Sequence, residues 1–213
     1  MTIEQKEQRG LTILDILQAC NKINFLKEKK INPDSIEPLK AWAGDSFPIK
    51  LEADGKIYKV NVSPDFVAGN VFTQENIDVL NGCKNLPHIY AVQAIGEEEG
   101  RDTAFVTEFI PGEHPTYDDL VKEEIRTQLL DLFSYLNQNG FMIHFPGSYW
   151  NILIGNNNVV YYIDLEDIGK FGLTKYKIQP PILELYELQD DGRMDNIYFN
   201  LETGKPEWSD LIE

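Results

Sequence analysis

A chain of 213 residues with 19 Lys plus Arg against 35 Asp plus Glu carries a formal charge of −16, and so acidic a surface repels nucleic-acid phosphates and anionic membranes. Neither nucleic acid nor a membrane is therefore an expected partner. The 2 cysteines, Cys20 and Cys83, are too few for a thiolate metal cluster or a disulfide framework; they read as small buried hydrophobes of a reducing compartment, with a single bridge between them as the alternative.

The segment Met1 to Lys6 lacks the basic and then apolar order of a secretory signal, and no apolar run approaches the length of a membrane span, so the expected location is cytoplasmic. From Thr12 to Leu26, the residues Ile13, Leu14, Ile16, Leu17, Ile23 and Phe25 suggest an amphipathic helix, ended by Lys27 to Lys30 and the Asn32-Pro33 break. Residues 1–38 are thus read as a helical extension. From Leu39 to Leu51 comes a strand, a small-residue loop at Ala43-Gly44-Asp45-Ser46 and a second strand; Asp54-Gly55 then signals a turn into a third strand, Lys56 to Val62. Side chains two apart share a strand face, which puts Lys59 and Asn61 on one side of that strand. Phe72 to Leu80 reads as a helix with an apolar side of Phe72, Val79 and Leu80, carrying Glu75. Leu86 to Val92 and Thr103 to Thr107 form a further strand pair around the acidic turn Gly96 to Gly100, followed by Glu108-Phe109-Ile110-Pro111-Gly112.

Tyr117 to Asn139 reads as one helix, with Leu129, Leu132, Phe133 and Leu136 at helical spacing and Asn139-Gly140 as its stop. It leads into Phe141-Met142-Ile143-His144. Asn151 then precedes an apolar run, Ile152 to Ile154, a polar turn from Gly155 to Asn158, a second run from Val159 to Ile163, and Asp164. A strand–turn–strand unit of this kind brings Asn151 and Asp164 together as two oxygen donors for a hard cation. In the tail, Ile182 to Leu188 and Asn196 to Asn200 suggest a hairpin around Gln189-Asp190-Asp191-Gly192.

This order, with His144 seven residues ahead of Asn151 and Asp164 beyond a strand pair, resembles the protein-kinase-like superfamily. Its catalytic loop, His-Arg-Asp-x-x-x-x-Asn, matches here at His144 and Asn151, while Phe145 and Pro146 replace the Arg and the Asp. Its Asp-Phe-Gly resembles Asp164-Leu165-Glu166. The resemblance spans roughly Leu39 to Gly172 and implies a two-lobed α+β fold: a β-rich N-lobe over residues 39–110 and a reduced C-lobe with a C-terminal hairpin over residues 111–213.

For the site, the resemblance implies ATP or another nucleotide with Mg2+, the metal held by Asn151 and Asp164 and the adenine edge met at Glu108 and Ile110. It puts Asn61 where the family has its strand lysine. Lys59 then either reaches the phosphates from one step back or is an exposed strand residue. Glu75 is the helix glutamate of such a site, paired with Lys59 or simply solvated. Ala43 to Ser46 is either the loop over the phosphates or an ordinary hairpin loop.

A proline neither accepts a proton nor orients a hydroxyl, so Pro146 leaves the general-base position vacant. The leading expectation is a pseudokinase that binds nucleotide and Mg2+ and regulates a protein partner. Two alternatives stay open: a kinase-fold transferase that moves AMP or another group, and a small divergent kinase whose base comes from Glu166 or Asp167.

Overall fold

The computed structural model describes residues 18, 20–39, 47–63, 71–95, 103–143, 147–170, 181–188 and 194–207. They form a mixed α+β structure with mostly antiparallel sheets and few helices. The chain divides into two compact units, Met1–Ile77 with His88–Phe109, and Asp78–Pro87 with Ile110–Glu213.

The first unit is built on a five-stranded sheet: β1 (Ile31–Pro38), β2 (Phe47–Ala53), β3 (Lys56–Ser63), β4 (Ile89–Ala94) and β5 (Thr103–Glu108), in the order β1-β2-β3-β5-β4. The β2–β3 turn is the one expected, with Asp54 at φ 51° and Gly55 at φ 74°. Positive φ at both central positions gives the reversed twist that a two-residue hairpin needs. β1 departs from the expectation, because it lies within the segment read as a helical extension. Its Pro33 and Pro38 look like breakers in sequence, but β1 is an edge strand, where a missing N–H is tolerated, and its register with β2 shifts between Asn32 and Glu37.

One face of this sheet is apolar. Ile49, Leu51, Tyr58, Val60, Ala104 and Val106 pack there with Cys20, Ile23 and Leu26, the last lying in helix α1 (Asn24–Lys27). Phe25 adds a stacked contact with Tyr90 at 5.4 Å and an edge contact with Tyr58 at 5.7 Å. Of the expected helix Thr12 to Leu26, residues 12–17 and 19 lie outside the described residues; residues 18 and 20–22 are helical, and Ile23 bends the chain before α1. Helix α2 (Gln74–Asn81) follows β3 and begins in this unit.

In the second unit, Asn85 fastens the segment Asp78–Pro87. Its side-chain amide donates to the Val160 carbonyl at 2.7 Å, and its own carbonyl accepts from the Tyr162 N–H at 2.9 Å. The helix expected from Tyr117 to Asn139 is two helices, α3 (Tyr117–Leu120) and α4 (Glu123–Gln138). The break lies at Lys122, whose extended backbone (φ −66°, ψ 129°) caps α4 and places Glu123 and Glu124 in its first turn, where the helix dipole favours carboxylates. Ile125, Leu129, Leu132, Phe133 and Leu136 form its buried stripe, and Gly140 at φ 78° follows its end.

Beyond α4, β7 (Phe141–Ile143) pairs with β11 (Ile168–Lys170), and β9 (Ile152–Gly155) forms a hairpin with β10 (Val160–Tyr162). A short strand β6 (Gly112–Glu113) adds to β9. A Cβ on Gly112 would collide with the Ile154 carbonyl, so this close approach of backbones requires glycine. The expected tail hairpin forms as β12 (Ile182–Leu188) and β13 (Met194–Asn200), flanked by β14 (Lys205–Glu207) and, in parallel, by β8 (Gly147–Ser148). Among the described residues no helix is long and apolar enough to cross a membrane.

Candidate active site

Asn151 and Asp164 flank the β9–β10 hairpin. Asn151 ends a 3-10 turn, Tyr149–Asn151, directly ahead of β9, and Asp164 follows β10 by two residues. The Ile163 N–H donates to the Asn151 carbonyl at 2.7 Å, which closes the hairpin at its open end and fixes the two segments side by side. The hairpin forms because Ile152, Val160 and Tyr162 are all buried, while Asn156, Asn157 and Asn158 take the exposed turn, Asn158 at φ 60°. Asparagine is among the few residues that adopt such a backbone readily.

The Asn151 side chain is engaged with Asp167. Its Nδ2 donates to Asp167 Oδ2 at 2.7 Å and lies 3.3 Å from the Tyr162 hydroxyl, which itself donates to the same Asp167 oxygen at 2.7 Å. Tyr162 is fully buried. Burial first, then the Asp167 charge and its hydrogen bond, hold the Tyr162 hydroxyl well above its ordinary range, so it stays a donor. Asp164 turns its carboxylate onto the following 3-10 turn, Leu165–Asp167, where Oδ1 accepts the Glu166 N–H at 3.3 Å. In sequence Asp167 is expected only as an alternative base beside Glu166; its bond to an amide sixteen positions earlier depends on the hairpin and has no local signal.

In the first unit, Lys59 lies opposite Lys50 on β2 and Thr107 on β5, and Asn61 opposite Pro48 and Phe105, so the two share a face as expected. Lys59 is half-buried and Asn61 buried. Lys50 is a second cation on that face, bonded to Glu37 at 3.0 Å and 5.1 Å from the Phe109 ring centroid. Pairing a period-two strand with its neighbour is the signal that would have found it. Glu75 is exposed in the first turn of α2, and it is the adjacent Asn76 that is buried, its amide donating to the Val71 carbonyl at 2.9 Å. Glu108 is exposed at the end of β5, with its N–H given to the His88 carbonyl at 2.8 Å. Ile110, in the second unit, is buried. His144, Phe145, Pro146 and the loop Ala43 to Ser46 lie outside the described residues.

Both cysteines are free and buried as expected, burial pushing the Cys20 thiol up to about 11 and raising that of Cys83. His114 is a structural residue: its Nδ1 lies 2.9 Å from the Ile152 carbonyl, which can only accept, so that nitrogen carries the proton.

A hard cation suits the amide oxygen of Asn151 and the carboxylate of Asp164, both oxygen donors. Among the described residues no three His, Cys, Asp or Glu side chains converge as a metal cage. An amide oxygen and one carboxylate are donors of the kind that a Mg2+ site completed by phosphate oxygens and water takes from a protein. Compared with protein-family models and with curated proteins, the chain matches none.

Proposed function

We propose that this chain is a compact, divergent relative of the protein kinases that acts as a pseudokinase: it binds a nucleotide with Mg2+, does not pass on the terminal phosphate, and regulates a protein partner. The observation that carries the reading is the pair Asn151 and Asp164, flanking one antiparallel hairpin and tied by the bond from Ile163 to Asn151. A supporting observation is the order of the first unit, in which the strand bearing Lys59 is followed by a helix and then by the strand pair ending at Glu108. The two-lobed kinase-like arrangement belongs to this proposal, as does a phosphate role for Lys59.

Mg2+ supplies neutralisation of the nucleotide phosphates. Asn151 and Asp164 would hold it, while Pro146, in the sequence position of the family's base, cannot take the proton of an acceptor hydroxyl. The wild-type protein with Mg2+ and ATP labelled at the γ-phosphate is expected to label neither itself nor generic protein substrates, while ATP and Mg2+ together raise its melting temperature. At a hundredfold excess over the dissociation constant the stabilisation is about 2.7 kcal/mol. Robust γ-phosphate transfer abolished by Asp164→Ala overturns the pseudokinase reading; transfer of label from the α-phosphate replaces it with AMP transfer.

A further inference from the structure

We infer that Asp167 is a positioning residue: it turns the side-chain amide of Asn151 so that the nitrogen faces inward and the oxygen is the prong offered to a divalent cation. This rests on the reading of Asn151 as a cation ligand given above. An asparagine amide has one accepting and one donating prong of nearly equal size, and a cation tolerates only the first. Something must therefore fix which prong faces outward. A carboxylate only accepts, so Asp167 Oδ2, 2.7 Å from Asn151 Nδ2, admits the NH2 group and refuses the oxygen. The Tyr162 hydroxyl does not compete for the role, since its proton is committed to the same Asp167 oxygen at 2.7 Å and it presents only a lone pair to Asn151 at 3.3 Å. Both neighbours of the amide thus favour one orientation, and Asp167 dictates it. Outer partners of this kind tune metal affinity by setting the ligand in place before the metal arrives.

The test compares ATP affinity with and without Mg2+ in four proteins, at a temperature well below the melting point of each. Wild type sets the Mg2+-dependent gain. Asp167→Ala removes the acceptor, frees the amide to rotate, and is expected to lose about tenfold or more of that gain. In Asp167→Asn the Tyr162 hydroxyl proton selects the amide oxygen at that position, which can receive both donors, and this variant is expected to retain most of the gain. The double variant Asn151→Asp with Asp167→Ala is expected to recover it, because a carboxylate offers oxygen on both prongs and needs no orienting partner. A purely structural role for Asp167 predicts no such recovery. An unchanged gain in Asp167→Ala, or no recovery in the double variant, overturns the inference while leaving the nucleotide reading in place. A wild type with no Mg2+-dependent gain overturns the ligand role of Asn151 and the reading beneath it. Without metal or nucleotide, the side-chain NH2 resonances of Asn151 are expected to shift in Asp167→Ala and to stay near the wild-type position in Asp167→Asn; identical resonances in all three proteins would refute the orientation itself.

Discussion

Asp119 and Asp167 perform the same chemistry in different settings. Each accepts a hydroxyl proton at 2.7 Å, from Thr116 or from Tyr162, and each accepts an N–H beside it, from the Thr116 backbone at 2.8 Å or the Asn151 amide at 2.7 Å. Asp119 does so within one helical turn, completing a capping box in which its own N–H returns to Thr116 Oγ1 at 3.2 Å. Lys122 adds a bond to its other oxygen at 2.7 Å. Asp167 does so across a hairpin, with a fully buried phenol as one donor. The local cluster is a device for starting a helix, and its loss exposes groups that water can serve. The long-range cluster includes one donor that water cannot reach, the Tyr162 hydroxyl, so its removal leaves that group unsatisfied.

The contrast is broken most strongly at Asp167. Asp167→Ala strands the buried Tyr162 hydroxyl and is expected to lower stability by about 2 kcal/mol, while Tyr162→Phe, which leaves the carboxylate its bond from Asn151, lowers it by about 1 kcal/mol. Chemical denaturation of the two variants measures this, and equal losses would mean that the phenol, not the carboxylate, is the centre of the cluster.

A smaller effect is expected at the helix start, where Thr116→Ala removes the cap and lowers stability by about 1 kcal/mol. Lys122, then the Thr116 N–H and hydroxyl, hold the Asp119 carboxyl at about 2 instead of 3.8. A depressed carboxylate stabilises the fold fully above its unfolded value and loses that contribution as pH falls through the folded one. Wild type is therefore expected to lose this contribution between roughly pH 4 and 2, and Thr116→Ala to show a shallower decline over the same window. Parallel pH profiles would show that the Thr116 hydroxyl adds nothing and that Asp119 draws its stabilisation from Lys122 and the Thr116 N–H.

The same division between local and long-range chemistry governs what the sequence reveals. Asp54-Gly55 announced its turn because two adjacent residues tolerate positive φ, and both strands around it follow. The stripe from Leu129 to Leu136 and the β9–β10 and β12–β13 hairpins are equally local patterns and were legible. β1 was not, since Asn32-Pro33 reads as a break until the strand is known to lie at an edge. The break at Lys122 was hidden because apolar spacing continues across it, although Thr116 and Asp119 carry a capping signal that spacing alone ignores. At the candidate site, Asn151 and Asp164 were legible as a pair around two apolar runs, and Lys59 and Asn61 as neighbours on one face. Asp167 was not legible as the partner of Asn151, because nothing in residues 164–167 distinguishes the carboxylate that turns back to the hairpin from the one that caps its own turn.

The central claim, that Asn151 and Asp164 hold a cation with nucleotide phosphates, is tested most directly by isothermal titration of ATP into wild type and Asp164→Ala, each with and without Mg2+. Mg2+ is expected to tighten ATP binding to wild type and to have no effect on its binding to Asp164→Ala, since the variant lacks the charged ligand. An equal response to Mg2+ in both proteins, or none in wild type, would contradict it.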